Sequence, residues 1–146
     1  MTFISVTAVI VLDQLTKFLV TRSLALYQSV PVIKGVFHLT LTHNRGAAFG
    51  IFPGQVLLFI IVSLVAVFYI YAHLNRSRHP LSVAYRLSLS LILAGAVGNL
   101  IDRVFVGYVI DFIDLRVWPV FNVADCAITT GALLLAWHLL RAERTI

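Results

Sequence analysis

Charge is what this chain has least of. Only 12% of its 146 residues are Asp, Glu, Lys or Arg, while 60% are hydrophobic. A soluble domain carries about 25% charged and 45–50% apolar residues. The mean hydropathy of +0.98 points to an integral membrane protein. Cysteine is nearly absent as well: a lone Cys126 excludes an internal disulfide framework. The eleven Lys and Arg form no run, and the aromatics are spread through apolar segments, so the net charge of +5 is not a nucleic-acid signature. There is no HExxH and no paired His–Cys spacing, which leaves no protein-built metal site to propose. Gly-x-Ser-x-Gly is absent too, and no His lies near Cys126 in the sequence. Cys126 therefore reads as a small buried residue, not a nucleophile. The N-terminus opens without a basic residue and its apolar run contains Asp13, so it reads as a retained membrane helix and not a cleaved signal.

What is present is four apolar stretches, near residues 2–20, 55–72, 85–101 and 121–140. Each approaches the roughly 20 helical residues that cross about 30 Å of hydrocarbon. The expected architecture is an α-helical membrane protein of four transmembrane helices in one membrane-embedded domain, residues 1–146. Between the first two helices, residues 22–54 carry strand signals. Val36 to His43 alternates, with Phe37, Leu39, Leu41 and His43 on one face and His38, Thr40 and Thr42 on the other. Val30 to Ile33 is a candidate hairpin partner across Lys34-Gly35. A small antiparallel sheet at the membrane surface follows. The short connection holding Arg76, Arg78 and Arg86 suits the cytoplasmic side, which would put both termini inside and the sheet outside. The Lys and Arg count is five on each side and does not by itself orient the protein.

Alternating spans place five of the six acidic residues at the outer end; only Glu143 lies elsewhere. Carboxylates beside hydrocarbon are expensive and are functional candidates by default. Asp13 and Lys17 are four apart on one helix face, read either as a structural ion pair or as part of a site. Asn99, Asp102 and Arg103 share a face of the third helix, where Gly95 and Gly98 predict close helix packing. Asn122 and Asp125 open the fourth helix; Asn122 reads as an N-cap or as a site residue. Val109-Ile-Asp-Phe-Ile-Asp114 carries Asp111 and Asp114 back over the bundle after a turn at Gly107. Two nearby carboxylates share a proton and can activate water between them. Asp111, among Val109, Ile110, Phe112 and Ile113, favours the neutral acid; Asp125, at a helix N-terminus, favours the anion. Asp114 beside Arg116 reads as a solvated ion pair. Asp102, at a helix C-terminus, needs a cationic partner.

These motifs resemble those of the lipoprotein signal peptidases (signal peptidase II), bacterial membrane aspartyl proteases. The resemblance rests on Asp13-Gln-Leu-Thr-Lys17, Asn44-Arg-Gly-Ala-Ala-Phe49, Gly95-Ala-Val-Gly-Asn-Leu-Ile-Asp-Arg103, Val109-Ile-Asp-Phe112 and Phe121-Asn-Val-Ala-Asp125, in that order over nearly the whole chain. It implies an extracytoplasmic β-cradle, a catalytic dyad of Asp111 and Asp125, and an aspartic endopeptidase with no metal and no cofactor. It implies cleavage of a prolipoprotein just before its diacylglyceryl-modified cysteine. Asp13, Lys17, Asn44, Gly46, Asn99, Asp102, Arg103 and Asn122 would bind substrate or support the dyad. Membrane lipids and globomycin-type inhibitors are the implied partners besides the substrate, with no nucleic acid and a monomeric state. The implied location is the bacterial inner membrane, with the active site at its outer face. Two departures stand out. His43 occupies a place where relatives often carry Arg, and only fourteen positions separate Asp111 from Asp125, fewer than the family pattern. The competing reading is a proton- or ion-coupled membrane transporter, since intramembrane Asp residues also build proton relays. A third is a scaffold whose aspartates only hold helices together.

Overall fold

The computed structural model describes residues 2–46, 54–77 and 81–143. The second half of the Asn44–Phe49 motif, the stretch leading from it back to the membrane, and Arg78 lie outside these. Four helices and three strands follow in the order α1 (Thr2–Ser23), β1 (Ser29–Ile33), β2 (Phe37–Asn44), α2 (Val56–Arg76), α3 (Val83–Phe105), β3 (Val109–Asp114) and α4 (Val123–Glu143). All four helices are long and apolar enough to cross a membrane.

Burial is inverted relative to a soluble protein. Leu12, Phe18, Val65, Phe68 and Leu133 are exposed, whereas Asp13, Lys17, Asn99, Asp102 and Asn122 are buried. Lipid accepts the apolar side chains, so the polar ones must find partners inside the bundle. α2, the most apolar helix, buries no residue and packs against α3. α3 is central and touches each of the other helices.

Glycine sets how closely they approach. A Cβ on Gly95 would collide with the Ala124 carbonyl and stand 2.7 Å from Ile128 Cγ1, and one on Gly98 would stand 2.7 Å from Asp13 Oδ2. One on Gly131 would meet the Ser88 carbonyl at 2.6 Å. The expected tight packing at Gly95 and Gly98 is thus against α4 and α1.

The sheet is antiparallel in the order β1-β2-β3. The β1–β2 hairpin was expected; the third strand was not. Val109–Asp114 pairs with β2, Asn44 opposite Val109 and His38 opposite Asp114. Gly107, at φ +84°, makes the turn from α3 into β3 with a backbone conformation that L residues rarely adopt. After β3 the chain doubles back. Ile113 and Phe121 exchange backbone hydrogen bonds of 2.8 and 3.0 Å, so α4 begins beside β3. The short loop between Asp111 and Asp125 thereby brings the two carboxylates together.

Candidate active site

Lys17 is the centre of the buried polar cluster. Its ammonium carries three donors, and three acceptors meet it: Asp13 Oδ2 and Asp102 Oδ2, each at 2.8 Å, and Asn99 Oδ1 at 3.1 Å. Asp13 also accepts from the Ala124 backbone N–H at 2.9 Å and so ties α1 to the start of α4. Asp102 accepts from the Ile110 N–H at 3.0 Å and ties α3 to β3. Lys17 is the cation that Asp102 requires. With Asp13 at 0% exposure and Lys17 at 2%, neither is open to a substrate, and their link to the rest of the cluster runs through Asn99.

Asn99 passes the arrangement on. Its carbonyl oxygen accepts from Lys17 and from Asn122 Nδ2 at 3.0 Å, which leaves its amide to donate to Asp125 Oδ1 at 2.8 Å. Asn122 satisfies both sequence readings. As a cap, its Oδ1 accepts from the Asp125 N–H at 2.9 Å, and Asp125 Oδ2 reaches back to the Asn122 N–H at 3.3 Å, a reciprocal capping box. As a site residue, its amide donates to Asp111 Oδ1 at 2.7 Å. One residue therefore meets both carboxylates, Asp111 through its side-chain amide and Asp125 through its backbone N–H. Asn44 completes the set. Its carbonyl oxygen accepts from the Gly46 N–H at 3.0 Å, so its amide faces Asp111 Oδ2 at 3.1 Å.

Asp111 is 2% exposed. Burial first, and then the nearby Asp125 charge, push its carboxyl up to about 7, against the hydrogen bonds from Asn44 and Asn122 and the charge of Lys17. A carboxyl of this kind keeps a proton near neutrality that an ordinary Asp has lost. Arg103 lies by the Asp111 and Asp125 carboxyls. Its guanidinium donates to the Gly46 carbonyl at 3.4 Å and covers the Phe59 ring at 5.4 Å.

Two cavities meet at Asp111. One, of about 610 Å³, lies on the sheet side and is lined by Tyr27, Thr42, His43, Asn44, Arg45 and Asp111. The other, of about 570 Å³, lies between helices and holds Asp125, Asn99 and Arg103 as well as Phe59, Val62 and Ile128. Asp111 thus stands between a polar cleft and an apolar groove. His43 stacks on Tyr108 with ring centroids 3.8 Å apart. Burial and then Arg45 lower its pKa, which makes it a neutral, aromatic wall of the cleft. Among the described residues no three His, Cys, Asp or Glu side chains are grouped to hold a metal ion.

A family model described as Signal peptidase (SPase) II matches residues 5–141. The chain belongs to this family. Signal peptidase II is a peptidase family, so the chain is an enzyme and the transporter reading falls away. The lipoprotein signal peptidase of Halothermothrix orenii is 46% identical over 144 residues, covering 99% of this chain and 98% of the relative. That of Geobacter metallireducens is 50% identical over 150 residues, covering 97% and 92%. A solved bacterial membrane enzyme superposes with a TM-score of 0.91 at 31% identity, over 97% of this chain and 88% of its own. A second gives a TM-score of 0.86, also at 31% identity, over 95% and 92%.

Within this signal peptidase II fold, Asp13, Lys17, Asn44, Gly46, Asn99, Asp102, Arg103, Asp111, Asn122 and Asp125 gather in one connected region. Gln14 was missed. Its amide reaches Asp102 Oδ1 at 3.0 Å, Asp13 Oδ2 at 3.2 Å and the Gly98 carbonyl at 3.3 Å. The available signal was its polarity in an apolar span next to Asp13. Two expectations are corrected. Cys126 is exposed, because it faces outward from α4 one residue after Asp125. Asp114 does pair with Arg116, at 3.1 Å, but is 5% exposed and not solvated. Burial opposes its charge, yet the Thr40 hydroxyl at 2.7 Å and the Arg116 N–H and guanidinium outweigh that and hold the carboxyl below its usual range. It fastens the end of β3 to β2 away from the dyad.

Proposed function

We propose that Asp111 and Asp125 carry the signal peptidase II reaction, hydrolysis of the peptide bond that joins a prolipoprotein's signal peptide to its lipidated cysteine. The observation that carries this is Asn122, whose side-chain amide donates to the Asp111 carboxyl at 2.7 Å and whose backbone N–H donates to the Asp125 carboxyl at 3.3 Å, with Asp111 raised to about 7. Asp111 acts as the neutral acid. Asp125 acts as the base; it sits in the first turn of α4 and takes hydrogen bonds from Asn99 and the Asn122 N–H, partners suited to an anion. Asp125 removes a proton from water, whose oxygen attacks the scissile carbonyl carbon. Asp111 donates its proton to the carbonyl oxygen, giving a neutral tetrahedral diol. On collapse the C–N bond breaks, the departing amine of the cysteine takes the proton held by Asp125, and the diol returns a proton to Asp111. Each carboxyl ends as it began.

Asn99, Asn122 and Asn44 hold the two carboxyls in position, and the buried Asp13–Lys17–Asp102 cluster holds Asn99 and the ends of three elements. Arg103, at the mouth of the apolar groove, is placed to meet a substrate carbonyl. The groove between helices accepts the hydrophobic part of the substrate from the bilayer, and the polar cleft takes the exposed peptide. Globomycin-type peptide inhibitors would fill the same space. The enzyme works as a monomer in the bacterial inner membrane, with the sheet and dyad outside and both termini inside. A substrate without lipid loses its anchor at the depth of the site, and acyl burial is worth about 0.8 kcal/mol per CH₂. Purified enzyme should therefore cleave a diacylglyceryl-modified prolipoprotein and leave the unmodified one uncut in the same detergent. Equal cleavage of both would show that the lipid is not read.

A further inference from the structure

At the end of the bundle opposite the dyad, a cavity of about 600 Å³ opens between α1 and α3. Ile4 and Ala8 form one wall, Val83 and Leu87 the other, and Leu81 and Arg86 stand at its surface end with Ser90 deeper. From Val83 to Ser90 the groove runs about 10 Å down the helix axis at 1.5 Å per residue. The Ser90 hydroxyl donates to the Arg86 carbonyl at 2.7 Å, so the deep end is apolar in effect. Arg86 is exposed, and its guanidinium takes no hydrogen bond, ion pair or ring contact from the described residues. It lies in the first turn of α3, where the helix dipole adds positive potential. Arg76 closes α2 and Arg141 closes α4 at the same end, while five of the six acidic residues lie at the other.

We propose that this groove binds an anionic phospholipid, with its phosphate on the Arg86 guanidinium and an acyl chain along Ala8 and Leu87. The guanidinium presents a planar fork of donors that matches a phosphate. Basic pockets between membrane helices hold anionic head groups in this way. The groove supplies the apolar length that a free anion would not use, and Arg86 in the first turn of α3 supplies the charge that a zwitterionic lipid would complement less well. The site is separate from the dyad and independent of the reaction assigned to it.

The test is native mass spectrometry of the delipidated full chain with dioleoylphosphatidylglycerol or dioleoylphosphatidylcholine at equal concentration. Both lipids offer Arg86 a phosphate, but choline adds an ammonium that offsets it, so the net charge should favour the glycerol lipid by about fivefold. Arg86→Gln should bring that ratio close to one, and Arg76→Gln should leave it unchanged. Ala8→Leu, which narrows the groove, should lower retention of both lipids with Arg86 intact. All three variants should still cleave the lipidated prolipoprotein, which reports that they are folded. A preference that survives Arg86→Gln would overturn the proposal, as would lipid binding that inorganic phosphate alone displaces or that Ala8→Leu leaves untouched.

Discussion

Asp111 owes its chemistry to its neighbours. Among Val109, Ile110, Phe112 and Ile113 its desolvation is legible from the sequence, and so is the preference for the neutral acid. Its two amide partners are not legible. Asn44 is 67 positions away and reaches it only because β2 and β3 pair. A carboxyl titrating near 7 that must donate a proton predicts a falling alkaline limb in kcat/KM near pH 7. The Asn44 hydrogen bond favours the anion, so Asn44→Ala should move that limb to higher pH. A limb that stays where it was would exclude Asp111 as the acid. Stability has a definite sign here as well. A carboxyl raised on folding contributes stability below its unfolded value, near 4, and that contribution is lost as pH rises through about 7. Asp111→Asn should therefore be more stable than the parent above pH 7, and thermal unfolding at two pH values reads this as a second check. Asp114, in the same strand, was read as solvated because only its neighbour Arg116 was visible; Thr40, which buries it, comes from β2.

Among the elements, the helices were legible and β3 was not. Apolar runs of sufficient length announce a span whatever they pack against. β3 carries Val109, Asp111 and Ile113 on one face and Ile110, Phe112 and Asp114 on the other, one aspartate on each. No period-two pattern survives, because the strand is covered on both faces and each carboxyl finds its own partners. The α3–α4 contact shows how much one residue decides. Gly95 fits against the Ala124 backbone, immediately before Asp125, and has no room for a methyl group. Overpacking of this kind costs about 1–3 kcal/mol. Gly95→Ala should lower the unfolding temperature in detergent and reduce turnover together, because α4 moves with the carboxylate it carries. Full activity with an unchanged unfolding temperature would mean that the helices do not approach as closely as described.

For the whole molecule, alternation of four spans was enough to put five of the six acidic residues at one end. It was not enough to say which way that end faces, since the basic residues divide evenly. The orientation proposed here predicts that, with Cys126→Ser as background, a membrane-impermeant thiol reagent added outside labels Lys34→Cys and not Arg76→Cys. Labelling of Arg76→Cys alone would place the dyad on the cytoplasmic face. Cys126 must be removed for that experiment because it is exposed, a feature the sequence hid: a small residue after Asp125 could face either way around α4. The pairing of Asp111 with Asp125 is the claim on which the reaction rests. Its most direct test is turnover of the lipidated prolipoprotein by purified Asp111→Asn, Asp125→Asn and the double variant, alongside binding of the same substrate. Groups that act as a unit are not additive. Each single variant should bind substrate and lose nearly all turnover, and the double should be little worse than either. Robust turnover by Asp111→Asn, or a double variant that multiplies the two losses, would contradict the dyad.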